Sequence, residues 1–272
     1  MVGFRYRILF PGGRKKALTL SYDDGMIYDR QLVDMFDRYA LKATFHLSSG
    51  KFGESGEGED EYVREDEIED LYEGHEISAH GVNHPHSLQL SRGRILNELL
   101  EDRRKLEAVS GNIVRGMSYP FGEYSDDIIA VLKAAGIEYS RTVNSTGDYR
   151  LPGDFLRWDP TCHHNDAHKY LDRFLHPLGY EDLMLFYVWG HSFEFHRENT
   201  WDMMEDFCKK VSGHDDIWYA SNIEIKDYIT AMRSLVTDVE ETMVYNPSGE
   251  TIYLEAGGRI LTVGPLERVK IG

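Results

Sequence analysis

Short apolar runs alternate with longer stretches of helical periodicity along most of this chain. Residues 17–22, 43–47, 76–79, 116–119, 139–142, 183–189 and 218–221 read as strands. Residues 27–39, 66–72, 91–109, 125–135, 167–175, 199–211 and 223–236 read as helices. Ser91 and the Ser125-Asp-Asp sequence are favourable helix starts, and Gly136 after Lys133-Ala-Ala is a favourable stop. Such regular alternation predicts parallel strands wrapped by helices, either closed as a barrel or open as a doubly wound sheet.

The polar positions favour closure. Asp23 and Asp24, His80 and His84, Phe121-Gly122 and His191 each follow a different predicted strand, at its C-terminal end. In a β/α barrel those ends converge on one face, where active sites are built. Two segments stand apart from the alternation. Residues 50–61 are rich in Gly and Glu and read as a mobile insertion. From Thr242 the pattern changes to short alternating runs with turns at Asn246-Pro-Ser-Gly249 and Gly257-Gly258, which predicts a small β appendage over 243–271. The chain then divides into a barrel, 1–236, and a β-rich appendage, 237–272. The Leu-rich helix over 95–109 reads as packing and nothing more.

A chain of 272 residues with 41% apolar and 12% aromatic content can bury a proper core. Its 47 acidic against 30 basic residues, a formal charge of -17, make a nucleic-acid backbone or an anionic membrane an unfavourable partner. Part of that acidity, residues 54–69, reads as a solvated loop and helix face. Cys162 and Cys208 are far apart and form no CxxC pattern, so neither a disulfide framework nor a thiolate metal site is expected. The N-terminus lacks a 7–15-residue apolar run, so no signal peptide or membrane span is expected. That favours the cytoplasm, or the periplasm or exterior if a leader was removed. The oligomeric state is not legible.

Asp23-Asp24-Gly25 and His80-Gly-Val-Asn-His84 look like the halves of one metal site. A carboxylate and two imidazoles suit zinc or a similar divalent ion, with a position open for water. Asp-Asp-Gly alone more often marks an ordinary turn, and a His pair alone is weak in a chain with 12 histidines. Both together, each behind a strand, are far more specific, and they point to hydrolysis at a metal. Pro85 disfavours α geometry at His84, so a loop or single turn is expected there. His46, His75, His86, His163, His164, His168, His176, His196 and His214 read as structural, with His163 and His164 the first exceptions to consider. His163 and His164, after a possible sixth strand, are placed to line the cleft.

These residues resemble the polysaccharide deacetylase family, the NodB-homology enzymes of carbohydrate esterase family 4, over roughly residues 17–228. Ser21-Tyr-Asp-Asp-Gly25 is similar to the first family motif, which implies Asp23 as catalytic base and Asp24 as metal ligand. His80-x-x-x-His84 is similar to the second, whose histidines complete the metal site. Ser118-Tyr-Pro-Phe-Gly122 resembles the third, implying that the Phe121 backbone N–H stabilises an oxyanion. Trp189-Gly-His191 resembles the last, implying His191 as general acid. The implied fold is a distorted (β/α)7 barrel. The implied activity is metal-dependent removal of N-acetyl or O-acetyl groups from a carbohydrate, with zinc as the expected ion.

Three departures accompany the resemblance. Gly81 replaces the Ser or Thr of the second motif, so a loop-bracing hydrogen bond is missing or replaced. The third-motif Arg aligns with Ser118, which removes the usual partner of the catalytic Asp. The fourth motif is rearranged as Arg157-Trp158-Asp159, and Arg157 is assigned as the substitute partner, with Arg115 and Arg141 next in line. The alternatives are a relative opening a small cyclic amide or imide, and an inactive sugar-binding homologue.

Overall fold

The computed structural model describes residues 6–55, 61–179 and 182–271. Its strands are β1 (Arg7–Leu9), β2 (Lys16–Asp24), β3 (Ala43–Leu47), β4 (Glu76–Ala79), β5 (Gly116–Ser118), β6 (Tyr139–Arg141), β7 (Cys162–His163), β8 (Met184–His191), β9 (Ile217–Tyr219), β10 (Val236–Thr237), β11 (Met243–Tyr245), β12 (Ile252–Ala256), β13 (Arg259–Val263) and β14 (Arg268–Lys270). The helices are α1 (Asp29–Arg38), α2 (Ile68–Leu71), α3 (Arg92–Ser110), α4 (Asp126–Ala134), α5 (Ala167–Leu175), α6 (Ser192–Arg197), α7 (Trp201–Val211) and α8 (Asn222–Arg233). The predicted alternation is present. The differences are local: the 199–211 pattern begins at Trp201 behind a separate α6, and the last helix stops at Arg233.

Parallel pairing runs in the order β6-β5-β4-β3-β2-β8-β7, with β9 beside the start of β2. The sheet curls toward closure without a regular last strand pair. Trp158 makes a parallel bridge to Arg141, with its N–H to Ser140 and its carbonyl from Thr142. A few residues on, Thr161 donates to Tyr187 and Cys162 pairs with Val188. One irregular segment, 158–163, therefore links β6 to β8 and gives the distorted (β/α)7 barrel.

Alternation along the strands sorts two kinds of residue. Leu18, Leu20 and Tyr22 of β2 pack outward with Phe45, Leu32 and Phe36 in one large apolar cluster under the helices. The alternate residues meet inside the barrel and are mostly polar. Thr19 Oγ1 bonds Asn222, Ser21 Oγ lies 2.9 Å from His46 Nε2, and the Tyr139 hydroxyl donates to Glu76 and lies 3.1 Å from Ser78 Oγ. A β/α barrel interior is usually filled by branched apolar side chains. Here a hydrogen-bonded column leads instead toward the C-terminal rim.

At the other end, β1 pairs with β12 and β12 with β13, while β10, β11 and β14 form a second small sheet. Ile252, Leu254, Val263 and Val244 pack with Phe10, Ile225, Tyr228 and Ile229 in a second apolar cluster, and Tyr228 donates to the Leu9 carbonyl at 2.6 Å. The predicted C-terminal β segment is thus joined by an N-terminal strand. Of the expected mobile insertion over 50–61, residues 56–60 lie outside the described residues, and the flanks Ser55 and Glu61 form an antiparallel bridge. Among the described residues no helix is long and apolar enough to cross a membrane.

Candidate metal centre and active site

Strand β2 ends on Asp23 and Asp24 and delivers them to different neighbours. Asp23 points into the barrel and is 3% exposed. Its Oδ1 accepts from Ser118 Oγ at 3.0 Å, and its Oδ2 accepts from the Arg141 guanidinium. Burial pushes this carboxyl up, but Arg141, with His80, His46 and His191, outweighs it and holds Asp23 far below the usual carboxylate range. Asp24 has φ 81°, a backbone conformation uncommon outside glycine, at the last β2 position, still paired with Leu47 of β3. Its Oδ1 lies 3.5 Å from His80 Nε2 and 3.6 Å from His84 Nε2.

His80 follows β4, and its ring orientation is fixed from behind. Nδ1 lies 3.0 Å from the Ser118 carbonyl, which can only accept, so Nδ1 carries the proton and Nε2 presents a lone pair. Burial, foremost, pushes His80 well down and also lowers His84, so both imidazoles are neutral. Asp24 Oδ1 and His80 Nε2 are therefore two acceptors facing one another beyond hydrogen-bond range. A cation between them satisfies both, and one donor atom each from Asp24, His80 and His84 lie within 4.8 Å of one another. The donor set fits the expected ion. His84 has φ 50°, and the loop turns tightly here, as Pro85 led us to expect.

Two residues absent from the sequence reading build this site. Asp102, on α3, accepts from the N–H groups of Ser49, His80 and Gly81 at 2.9, 3.0 and 2.8 Å. It supplies the brace that Gly81 lacks, so α3 is more than packing. The signal was present: Ile95, Leu99, Asp102 and Leu106 share the buried stripe, and a carboxylate there needs donors. Glu194, on α6, is the other. Its Oε1 lies 3.4 Å from His191 Nδ1, and its Oε2 lies 3.0 Å from His163 Nε2. Burial lowers His191, but Glu194, Asp24 and Asp23 outweigh it and leave this imidazole raised, favouring the imidazolium.

Arg157 does not reach Asp23. Its side chain is 41% exposed and pairs with Asp126 and Asp154. The reason is local: Trp158 turns inward, 1% exposed, so its neighbour Arg157 faces out. The partner of Asp23 is Arg141, fully buried, with its guanidinium 4.3 Å over the Trp189 ring. Arg141 lies directly opposite Ser118 in the β5–β6 register, so the cation sits one strand over from the family position and on the same inner face. Phe121, at φ 56° in the turn Pro120–Gly122, is 53% exposed. Its ring stacks on His86 at 3.8 Å and meets His84 edge-on at 4.4 Å.

Comparison with known proteins agrees with this geometry. Residues 11–140 match the sequence profile of the family described as "Polysaccharide deacetylase". A chitooligosaccharide deacetylase of Sinorhizobium fredii is 24% identical over 140 residues, covering 50% of this chain and 61% of the relative. This chain thus spans less than two thirds of that relative's length. A solved Mycobacterium smegmatis chain assigned to the polysaccharide deacetylases covers 84% of this chain and 94% of its own, with TM-score 0.62 and 16% identity. A family 4 carbohydrate esterase of Streptomyces lividans, solved with acetate, covers 76% and 93% with TM-score 0.50 and 15% identity. These structural likenesses speak to the fold. Residues 11–140, which carry Asp23, Asp24, His80, His84 and Phe121, thus belong to the polysaccharide deacetylase family, whose distorted (β/α)7 barrel is the fold of this chain.

Proposed function

We propose that this protein is a metal-dependent N-deacetylase acting on an N-acetylated glycan. The observation that carries this reading is the pairing at the end of β2. Asp24 faces two neutral imidazoles, while the adjacent Asp23 is held ionised by Arg141 and Ser118. The Sinorhizobium relative named for chitooligosaccharides supports the substrate class.

One divalent ion, zinc by its donor set, would be held by Asp24, His80 and His84 and would supply Lewis acidity toward a water and an acyl oxygen. Asp23 takes the proton of the attacking water. So acidic a carboxylate is a base only toward a strongly acidified donor. Arg141 and Ser118 fix both Asp23 oxygens, so the carboxylate cannot swing away. The Phe121 N–H faces the developing oxyanion in this reading, and the Phe121–His86 stack walls the sugar side. His191, raised by Glu194, gives its proton to the departing amine, a poor leaving group without one.

Acetate release from N-acetylglucosamine oligomers tests the proposal. Release should stop on removal of metal by a chelator and return with added zinc. Release that is indifferent to chelation, or none with any metal supplied, would count against it.

A further inference from the structure

Outside the Asp24–His80–His84 trio, a second group of metal-ligating side chains converges on the Glu194 carboxylate. His163, at the end of β7, places Nε2 3.0 Å from Oε2. His191, at the end of β8, places Nδ1 3.4 Å from Oε1. One donor atom each from His163, His191 and Glu194 lie within 4.8 Å of one another. A fourth group points the same way. His164 Nε2 lies 3.4 Å from Glu194 Oε2, its side chain is fully buried, and neither of its ring nitrogens has a hydrogen-bond partner.

A buried imidazole with an unmatched lone pair beside a carboxylate is poorly satisfied by protein alone. Its placement is specific, because a Cβ on Gly190 would lie 1.9 Å from His164 Nδ1. Only glycine at that position lets the ring lie where it does. Imidazoles and one carboxylate, drawn from two strand ends and a helix, are a donor set of the zinc type.

We propose that His163, Glu194 and His191 form a second divalent-cation site, with His164 alongside, and that excess zinc bound there inhibits the enzyme. The inhibition rests on the reading of His191 as general acid. An ion on His191 Nδ1 takes the place of its Glu194 contact and occupies the side chain assigned to proton transfer. The proton formerly at Nδ1 goes to solvent. Binding itself needs no such reading.

The experiment titrates zinc alone into the chelator-stripped full chain, with calorimetry and elemental analysis as readouts and acetate release followed in parallel. Wild type should take up two equivalents, the second weaker, with activity rising over the first and falling over the second. Asp24→Ala should lose the tighter equivalent. His163→Asn should lose the weaker one and raise the zinc concentration for half-inhibition by at least about tenfold, the scale for removing a partner at a metal site. Glu194→Gln should also lose the weaker equivalent, and melts without zinc establish that both variants fold. A wild type that never binds more than one equivalent overturns the proposal. So does a second equivalent retained in both variants, or an inhibition curve unmoved in His163→Asn. Two equivalents bound without acetate release at any zinc level would instead sink the deacetylase reading while upholding the second site.

Discussion

Asp23 receives hydrogen bonds from two different strands, one from Ser118 on β5 and one from Arg141 on β6. A hydroxyl and a guanidinium from neighbouring strands thereby share one carboxylate. Asp23→Asn should keep the metal, because Asp24 and the two histidines are untouched, yet lose turnover by about 10²-fold or more, the scale of general-base loss. Elemental analysis beside kinetics checks this, and near-normal turnover would reassign the base. The His191–Glu194 contact makes a prediction about pH. His191 is raised above its ordinary value, so if it is the general acid, as proposed, its imidazolium persists as pH rises and is lost only on passing that raised value. Glu194→Gln removes the carboxylate contact that does most to raise it. The alkaline limb of kcat/KM should then begin at lower pH than in wild type, and an unmoved limb would show that Glu194 does not act on His191.

At the scale of elements, helix α3 and the loop after β4 form one unit through Asp102. Three backbone N–H groups aim at one carboxylate, and burial pushes that carboxyl up to about 6. Asp102→Asn keeps the size of the side chain but turns a donor toward those donors. Zinc affinity should fall roughly 10- to 100-fold, as when other partners behind metal ligands are removed. Competition with a chromophoric chelator would measure it, and unchanged affinity would mean the loop holds its shape without α3. Helix α1 offers a contrast. Its first residue, Asp29, is fully buried, accepts from Tyr72 at 2.7 Å, and is pushed up to about 7, chiefly by burial. The loop after β2 is therefore packed on an acid that prefers to stay neutral.

For the whole molecule, that acid couples stability to pH. The folded state holds a proton on Asp29 up to about pH 7, whereas the unfolded chain releases it near its ordinary value of about 4. Unfolding free energy from this group therefore falls as pH rises across that window. Asp29→Asn does not titrate, so its stability relative to wild type should grow from pH 4 to pH 7 and level off above. Denaturant melts at several pH values decide the matter, and a constant difference would mean Asp29 is already ionised in the fold. The barrel interior fits the same theme, for its column of Glu76, Tyr139, Thr44, Asn222, Ser21 and His46 is held by hydrogen bonds. Specific donors and acceptors replace the interchangeable branched side chains usual inside such barrels.

The alternation of strands and helices, the barrel, and the grouping of Asp24, His80 and His84 were all legible in the chain. Each depends on local pattern: period-two and period-3.6 apolar spacing, and short motifs in which ligands lie next to the strand that carries them. Asp102 and Glu194 were not read as parts of the site and Arg141 stood only as a fallback partner, since each acts on a residue that is distant in sequence or on another element. Arg157 shows the same limit from the other side. Its place beside the motif suggested a partner for Asp23, but one inward turn of Trp158 points it to solvent. Sequence by itself determined which side chains can bind a metal and move a proton, because those are properties of residue type and local spacing. Only tertiary structure decided which cation holds Asp23, which carboxylate braces His80 and which one faces His191, because strand register and helix packing choose among distant groups of similar chemistry.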